Sequence, residues 1–233
     1  MAVLLALDSS TDSLAIALTG PGGATSLFEG SGGPKASEQV VPECMRLLAE
    51  ADLTLADVDA IAFGRGPGAF TGLRTACAVA QGLALGSNKP VLALDSLMLV
   101  AEDARQQSSD LQGPLWVAMD ARMDEIYAAC YEYRDGQWQT LQAPALYAPA
   151  ALAERWGRPA AVAGSALTVF AAHFDMPARA WPQEASRARA LAALAQAAFE
   201  RGELLDAAEA QPLYVRDKVA FTTAERLAMG AKA

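Results

Sequence analysis

The chain predicts an α/β protein of two lobes, each a mixed sheet flanked by helices, and three observations carry that expectation. The first 28 residues read as three strands in an antiparallel meander, before any helical pattern begins. A helical face then leads into strand, glycine loop, helix, strand and helix, which is the make-up of a mixed sheet covered by helices. After the polar stretch Gln-Gln-Ser-Ser-Asp-Leu-Gln-Gly at 106–113 the order starts again with strands and finishes with helices. The expected division is a first lobe at 1–105, a second, smaller lobe at 106–211, and a tail at 212–233 that packs back on the first lobe.

The opening strands are Val3–Leu7, Leu14–Thr19 and Ala24–Phe28, joined by the polar turn from Asp8 to Ser13 and the glycine turn Gly20-Pro21-Gly22-Gly23. Val40, Val41, Cys44, Leu47, Leu48 and Ala51 then recur at the spacing of one helical face, with Ser37 as the expected N-cap and Pro42 near the start. A strand at Val58–Phe63, a helix from Thr71 to Leu85, a short strand at Val91–Leu94 and a helix through Leu97–Ala104 complete the first lobe. In the second, strands fall at Leu115–Met119, Ile126–Tyr133 and Gln137–Leu141, the last two paired across Arg134-Asp135-Gly136. Alanine-rich helices follow at 149–156, 165–172 and 187–200, with a short strand at Ala160–Ala163. The alanine bias reads as compositional.

Composition narrows the functions. Hydrophobic residues make up 53% of 233 residues and charged residues 19%, so the chain is globular rather than disordered. Net charge is -9. Residues 1–100 carry 5 basic and 10 acidic side chains and residues 101–233 carry 13 and 17, so neither half offers the cationic footprint of a nucleic-acid binder. One histidine, His173, cannot build a paired-histidine or Cys/His metal cluster, and it reads as a packed or surface residue. Cys44, Cys77 and Cys130 lie far apart in apolar segments and read as buried reduced thiols. No signal-peptide pattern forms before Asp8 and no apolar run reaches the length of a membrane span, so a cytoplasmic protein with no membrane contact is expected.

Gly64-Arg65-Gly66-Pro67-Gly68-Ala69-Phe70-Thr71-Gly72-Leu73-Arg74 is the most informative segment. A glycine loop between strand and helix points backbone amides along the helix axis, where the macrodipole attracts anions. The spacing is neither a P-loop nor a dinucleotide fingerprint, and a tight turn that needs glycine explains it equally. Asp8 with Ser9, Ser10 and Thr11 could hold hydrated magnesium and phosphate oxygens, or could be a hairpin turn. Gly72, Ala76, Ala80 and Ala84 form a ridge with almost no side chain, suited to close helix approach inside the core or against a second chain. The charged run from Asp120 through Arg122 to Glu125 is either an acid/base pair or a solvated turn.

Together these segments resemble, end to end, the bacterial TsaB family of tRNA threonylcarbamoyladenosine biosynthesis, part of the actin-like ASKHA superfamily. The match rests on the first strand running into Asp8-Ser9-Ser10-Thr11, on the 64–74 segment continuing to Ala84, on Asp120–Tyr127 and on Pro212-Leu213-Tyr214-Val215-Arg216. The glycine segment resembles the family's GPGSFTGLR, with Ala69 in the serine position. Asp124 stands where the family's DARMGEVY has glycine, and Ala36 where relatives often place a histidine. In the sister family TsaD, metal-binding histidines occupy the equivalent helix; here that helix has none.

The resemblance implies two actin-like (ribonuclease-H-like) ASKHA lobes and a non-catalytic subunit that binds and activates the catalytic subunit TsaD, together with the ATPase TsaE. It implies ATP and metal on the partner subunits with no tightly bound cofactor here, tRNA reached only through the complex, and a possible homodimer when the chain is alone. It places the partner surface on the first two long helices, at Val40, Val41, Cys44, Leu47, Leu48, Gly72, Leu73, Ala76, Ala80 and Leu83. The family-motif loops are Asp8, Ser9, Ser10 and Thr11; Gly66, Pro67, Gly68, Phe70, Thr71, Gly72 and Arg74; and Asp120 and Arg122. A small ASKHA phosphotransferase using ATP is the alternative. A metallopeptidase is set aside on the single histidine.

Overall fold

In the computed structural model, which describes residues 2–216, the first sheet is built around β1 (Leu4–Asp8). β2 (Ser13–Thr19) and β3 (Thr25–Ser31) add antiparallel on one side; β4 (Ala60–Gly66) and β5 (Val91–Asp95) add parallel on the other, giving the order β3-β2-β1-β4-β5. The second sheet repeats that plan. β6 (Pro114–Asp120) pairs antiparallel with β7 (Ile126–Arg134) and β7 with β8 (Gln137–Tyr147), while β9 (Ala161–Ala163) and β10 (Arg179–Trp181) run parallel beyond β6. The duplication is architectural, with no repeat in the sequence. It makes this a protein of two actin-like ASKHA lobes.

Alternation along β1 and β2 divides the first sheet into two unlike faces. Leu5, Leu7, Leu14, Ile16 and Leu18 point to the side covered by α1 (Ala36–Glu50) and α2 (Phe70–Ser87). Ala6, Ala15, Ala17, Ala60 and Ala62 point to the other, where α6 (Arg187–Glu200) packs with Ala188, Leu191, Ala195 and Ala198. Small residues on both surfaces let helix and sheet approach closely. The alanine bias is therefore a packing device, which corrects the compositional reading.

This also redraws the expected lobe division. α6 lies within the 106–211 segment by sequence, yet it packs on β1, β2, β3 and β5 and beside α3 (Ser96–Gln107). Sequence order assigned it to the second lobe; its alanine face fits only the alanine face of the first sheet. The tail returns as expected at its start, the Leu213 amide donating to the Arg65 carbonyl at 2.6 Å. Residues 217–233 of the expected tail lie outside the described residues.

Other elements differ in detail. α1 begins at Ala36, so Ser37 is inside its first turn and does not cap it. β8 continues through Pro144 to Tyr147, and β10 was not foreseen because three residues carry no periodicity. The expected 165–172 helix is a turn of α-helix, α5 (Ala166–Val169), followed by a 3-10 turn at Ala171–His173. The hairpin turn is as expected, with Asp135 and Gly136 both at positive φ. All three cysteines are buried and free, and burial pushes the Cys44 thiol up to about 12 and the Cys130 thiol to about 11.

The expected partner surface needs the largest correction. Val40, Cys44, Leu47, Leu48, Gly72, Leu73, Ala76 and Ala80 are buried inside the chain, most of them against the first sheet. Of the ten positions only Val41, 39% exposed, and the half-buried Leu83 reach the outer surface. The spacing was right, but a stripe that repeats every four residues is also what a helix needs to sit on its own sheet. Ala76→Glu and Ala80→Glu will each leave an unpaired charge in the core and cost about 3 kcal/mol or more. The check is thermal unfolding by circular dichroism, with loss or collapse of the cooperative transition expected; an unchanged melting temperature would return the ridge to the surface.

Candidate functional site: a closed interlobe centre

Asp8, at the end of β1, is fully buried where the two lobes meet. Its Oδ1 accepts from the Ser10 amide at 3.2 Å, the Ser10 hydroxyl at 2.9 Å and Arg187 Nε at 2.8 Å, and its Oδ2 accepts from the Ser96 hydroxyl at 2.9 Å. Four donors fill the capacity of a carboxylate. Arg187 is only 3% exposed and also donates to the Ser10 hydroxyl at 2.9 Å, the Ser96 carbonyl at 3.1 Å and Glu184 at 2.7 Å. Burial alone would lower the guanidinium's pKa; Asp8 and Glu184 overcome it and raise it. Burial in turn raises the Glu184 pKa, against the pull of Arg187.

Arg187 opens α6, where the helix dipole disfavours a cation. It is held there by a second shell of bonds from elsewhere in the chain. The Asp103 carboxylate of α3 accepts from the amides of Ala185 and Ser186 at 2.9 and 2.8 Å, and Glu29 of β3 accepts from the Ser186 hydroxyl and the Ala188 amide. Arg187, Glu184 and Ser96 were not singled out from the sequence. The one available signal was an arginine at the first position of an alanine-rich helix.

The glycine loop serves the same closure. A Cβ on Gly64 would stand 1.7 Å from Asp8 Oδ2, and one on Gly72 1.8 Å from the Ser9 carbonyl oxygen, so only glycine lets β4 and α2 approach the Asp8 loop. The Ser9 hydroxyl donates to the Gly72 carbonyl at 2.8 Å and the Ala69 amide to the Ser10 carbonyl at 2.7 Å. Gly66, Pro67 and Gly68 therefore form a packing turn against the Asp8 loop, the Gly66 amide bonding the Ser96 hydroxyl at 3.0 Å. Of the four residues Asp8 to Thr11, Ser10 and Thr11 line the cleft, and the Thr11 hydroxyl accepts from the Ser13 amide at 3.2 Å. Magnesium at Asp8 does not fit this donor set, because the guanidinium already holds the carboxylate. Among the described residues no three of His, Cys, Asp and Glu converge as a metal site.

The cleft that remains is a cavity of about 340 Å³ between the Asp8 loop and the turn after β6. Arg122 spans it, pairing with Asp12 of the first lobe and, at 3.1 Å, with Asp120 of the second. Both Arg122 and Asp12 are largely solvent-exposed, so this bridge contributes about 1 kcal/mol at most. The charged run is a turn rather than an acid/base pair: Arg122, Met123 and Asp124 all have φ near +60°, closed by the Ala121 amide on the Glu125 carbonyl. Asp124 thus occupies a left-handed position that glycine adopts without cost. Phe70 and Arg74 look outward to the tail, Arg74 lying 3.9 Å over the Phe70 ring and donating to the Tyr214 hydroxyl, while Thr71 is exposed.

Two lobes of like topology, each a five-stranded mixed sheet flanked by helices, define a protein of the actin-like fold class. The family model described as TsaD, tRNA N6-adenosine threonylcarbamoyltransferase, matches residues 33–230. The chain is 29% identical to the tRNA threonylcarbamoyladenosine biosynthesis protein TsaB of Escherichia coli, over 94% of this chain and 96% of that one. It is 40% identical to the TsaB of Haemophilus influenzae over about half of each. The crystal structure of YeaZ from Pseudomonas aeruginosa superposes with a TM-score of 0.81 at 35% identity, covering 92% of this chain and all of that one. The chain belongs to the TsaD-like threonylcarbamoyladenosine family and, within it, to the TsaB proteins. Its role is in the threonylcarbamoyladenosine modification of tRNA. No helix among the described residues is long and apolar enough to cross a membrane.

Two outcomes test this geometry. Arg187→Met will leave Asp8 buried and unpaired and cost about 3–5 kcal/mol, and adding Asp8→Asn will recover part of that loss, as chemical denaturation of the single and double variants will show. Ala69 has the extended backbone of an N-cap but no hydroxyl, and no side chain caps α2. Ala69→Ser will supply the cap and stabilise by about 1 kcal/mol, read as a melting temperature higher by about 2–4 °C.

Proposed function

We propose that this protein is the non-catalytic subunit that supports threonylcarbamoylation of the adenosine next to the anticodon, acting in the cytoplasm by binding and activating TsaD together with the ATPase TsaE. The observation that carries this reading is the commitment of Asp8 to Arg187. An ASKHA phosphotransferase needs its aspartate free for metal or water, and here a guanidinium fills that place. The Ser9 and Ser10 hydroxyls and the Ala69 amide, which could otherwise meet phosphate, are bonded within the chain.

The acidic balance of both halves supports tRNA contact through the partner rather than through this chain. The partner surface is then the outer side of α1 and α2, carried by Val41, Met45, Leu83 and Leu85 rather than by the buried face. The same surface would serve a homodimer when the chain is alone. ATP and metal belong on the partner subunits in this reading.

Reconstitution with TsaD, TsaE, ATP, the threonylcarbamoyl donor and substrate tRNA, leaving out one component at a time, tests it. Modified nucleoside, measured by mass spectrometry, should fall to background without this chain, and the isolated chain should release no phosphate from ATP. Equal product without it would refute the subunit role. Magnesium-dependent turnover by the chain alone would favour the phosphotransferase.

A further inference from the structure

Leu213, Tyr214, Val215 and Arg216 cross from one lobe to the other, and the two ends of this short run are bonded to different lobes. On the first lobe the Leu213 amide donates to the Arg65 carbonyl of β4 at 2.6 Å, and a Cβ on Gly66 would stand 2.9 Å from the Leu213 carbonyl oxygen, so the run lies flush on the end of that strand. The Tyr214 ring is 5.3 Å from the Phe70 ring, and its hydroxyl accepts from Arg74 Nε at 3.1 Å.

The other end belongs to the second lobe. Val215 packs on the cluster that α3 shares with the second sheet, which includes Ala121 and Tyr127. Arg216 donates to the Ala121 carbonyl at 3.0 Å and the Arg122 carbonyl at 3.2 Å and pairs with Glu125 at 2.7 Å. Its side chain is only 11% exposed, so these charge-assisted bonds are shielded from water in a way that a surface ion pair is not.

The acceptors of Arg216 lie in the turn between β6 and β7, where Arg122, Met123 and Asp124 stand at φ of 62°, 57° and 57°. Three consecutive left-handed residues with side chains are costly, and such a turn needs bonds from outside to hold it. Arg216 supplies them to two of its carbonyls and to the Glu125 side chain. The same turn carries the Arg122 guanidinium that reaches over the cleft to Asp12. That pair is exposed on both sides and too weak to hold two lobes by itself.

We propose that residues 213–216 are an interlobe strap: Arg216 holds the turn in the shape that presents Arg122 to Asp12, Leu213 ties it to β4, and the strap, rather than the exposed ion pair, sets how far the cleft mouth opens. This device does not rest on the subunit role.

Pulsed electron paramagnetic resonance on the full chain tests it, with spin labels on Glu50→Cys at the end of α1 and Arg158→Cys before β9. The three native cysteines are buried and free. A narrow distance distribution is expected for the labelled parent. Arg216→Met keeps the apolar stem and removes the bonds to the turn, and it should lengthen and broaden that distribution. Leu213→Pro deletes the amide donated to Arg65 and cuts the strap at its other end, so it should do the same. Asp12→Ala, which removes only the exposed pair, should leave the distribution narrow. An unchanged distribution in either strap variant, or a change of equal size in Asp12→Ala, would overturn the proposal.

Discussion

Asp8 is a carboxylate placed by β1 at the one point where both lobes, α3 and α6 converge, and a bare charge there would cost several kcal/mol. Everything around it is arranged to meet that demand. Arg187 reaches it from the first turn of α6, so α6 lies on the first sheet, whose central strands present mostly alanine on that face. Glu29 and Asp103 then fix the entry to α6 through its free amides, on which its dipole favours negative charge. One ion pair thereby joins the choice of small residues, the crossing of the chain between lobes and the closure of the cleft.

Close approach is the second constraint, and glycine and alanine meet it in different ways. On the α6 face, alanines lower the height of both surfaces over a whole helix. At the Asp8 loop the contact is backbone to backbone, and a single methyl at Gly64 or Gly72 would displace a carboxylate or a carbonyl. The glycine segment is thus explained without a ligand along most of its length. Beyond Ala69, whose amide is held by the Ser10 carbonyl, no side chain among the described residues caps the start of α2.

Much of the fold was legible because periodicity and turn chemistry act locally. The strands of both sheets apart from β10, the glycine loop and the Asp135-Gly136 hairpin could be read where they stand. What could not be read was which sheet face a helix would choose. Cys44 and Ala76 lie on stripes that satisfy an internal sheet and an external partner equally well, and only the positions of β1 and β4 decide between them. The resemblance to TsaB had drawn those stripes outward, toward a partner. Arg187 was invisible for the opposite reason. Its significance depends on a residue 179 positions away, and no local pattern marks an arginine as buried.

The centre at Asp8 is closed from within the first lobe. In a nucleotide-handling cleft the aspartate must be accessible, so the lobes must be able to part around it. Here the aspartate is instead tied within the first lobe, with Ser10, Ser96 and Arg187 forming one hydrogen-bonded unit in which each member satisfies another. Freeing Asp8 would mean pulling α6 from the first sheet, which would strand two buried charges. The lobes are joined elsewhere, where α3 packs on β6 and β7 and where Tyr131 and Trp138 donate to Asp95 and Glu102. Ion pair and interlobe joint are thus separate: Arg187 fixes α6 on the first sheet, and α3 carries the second lobe.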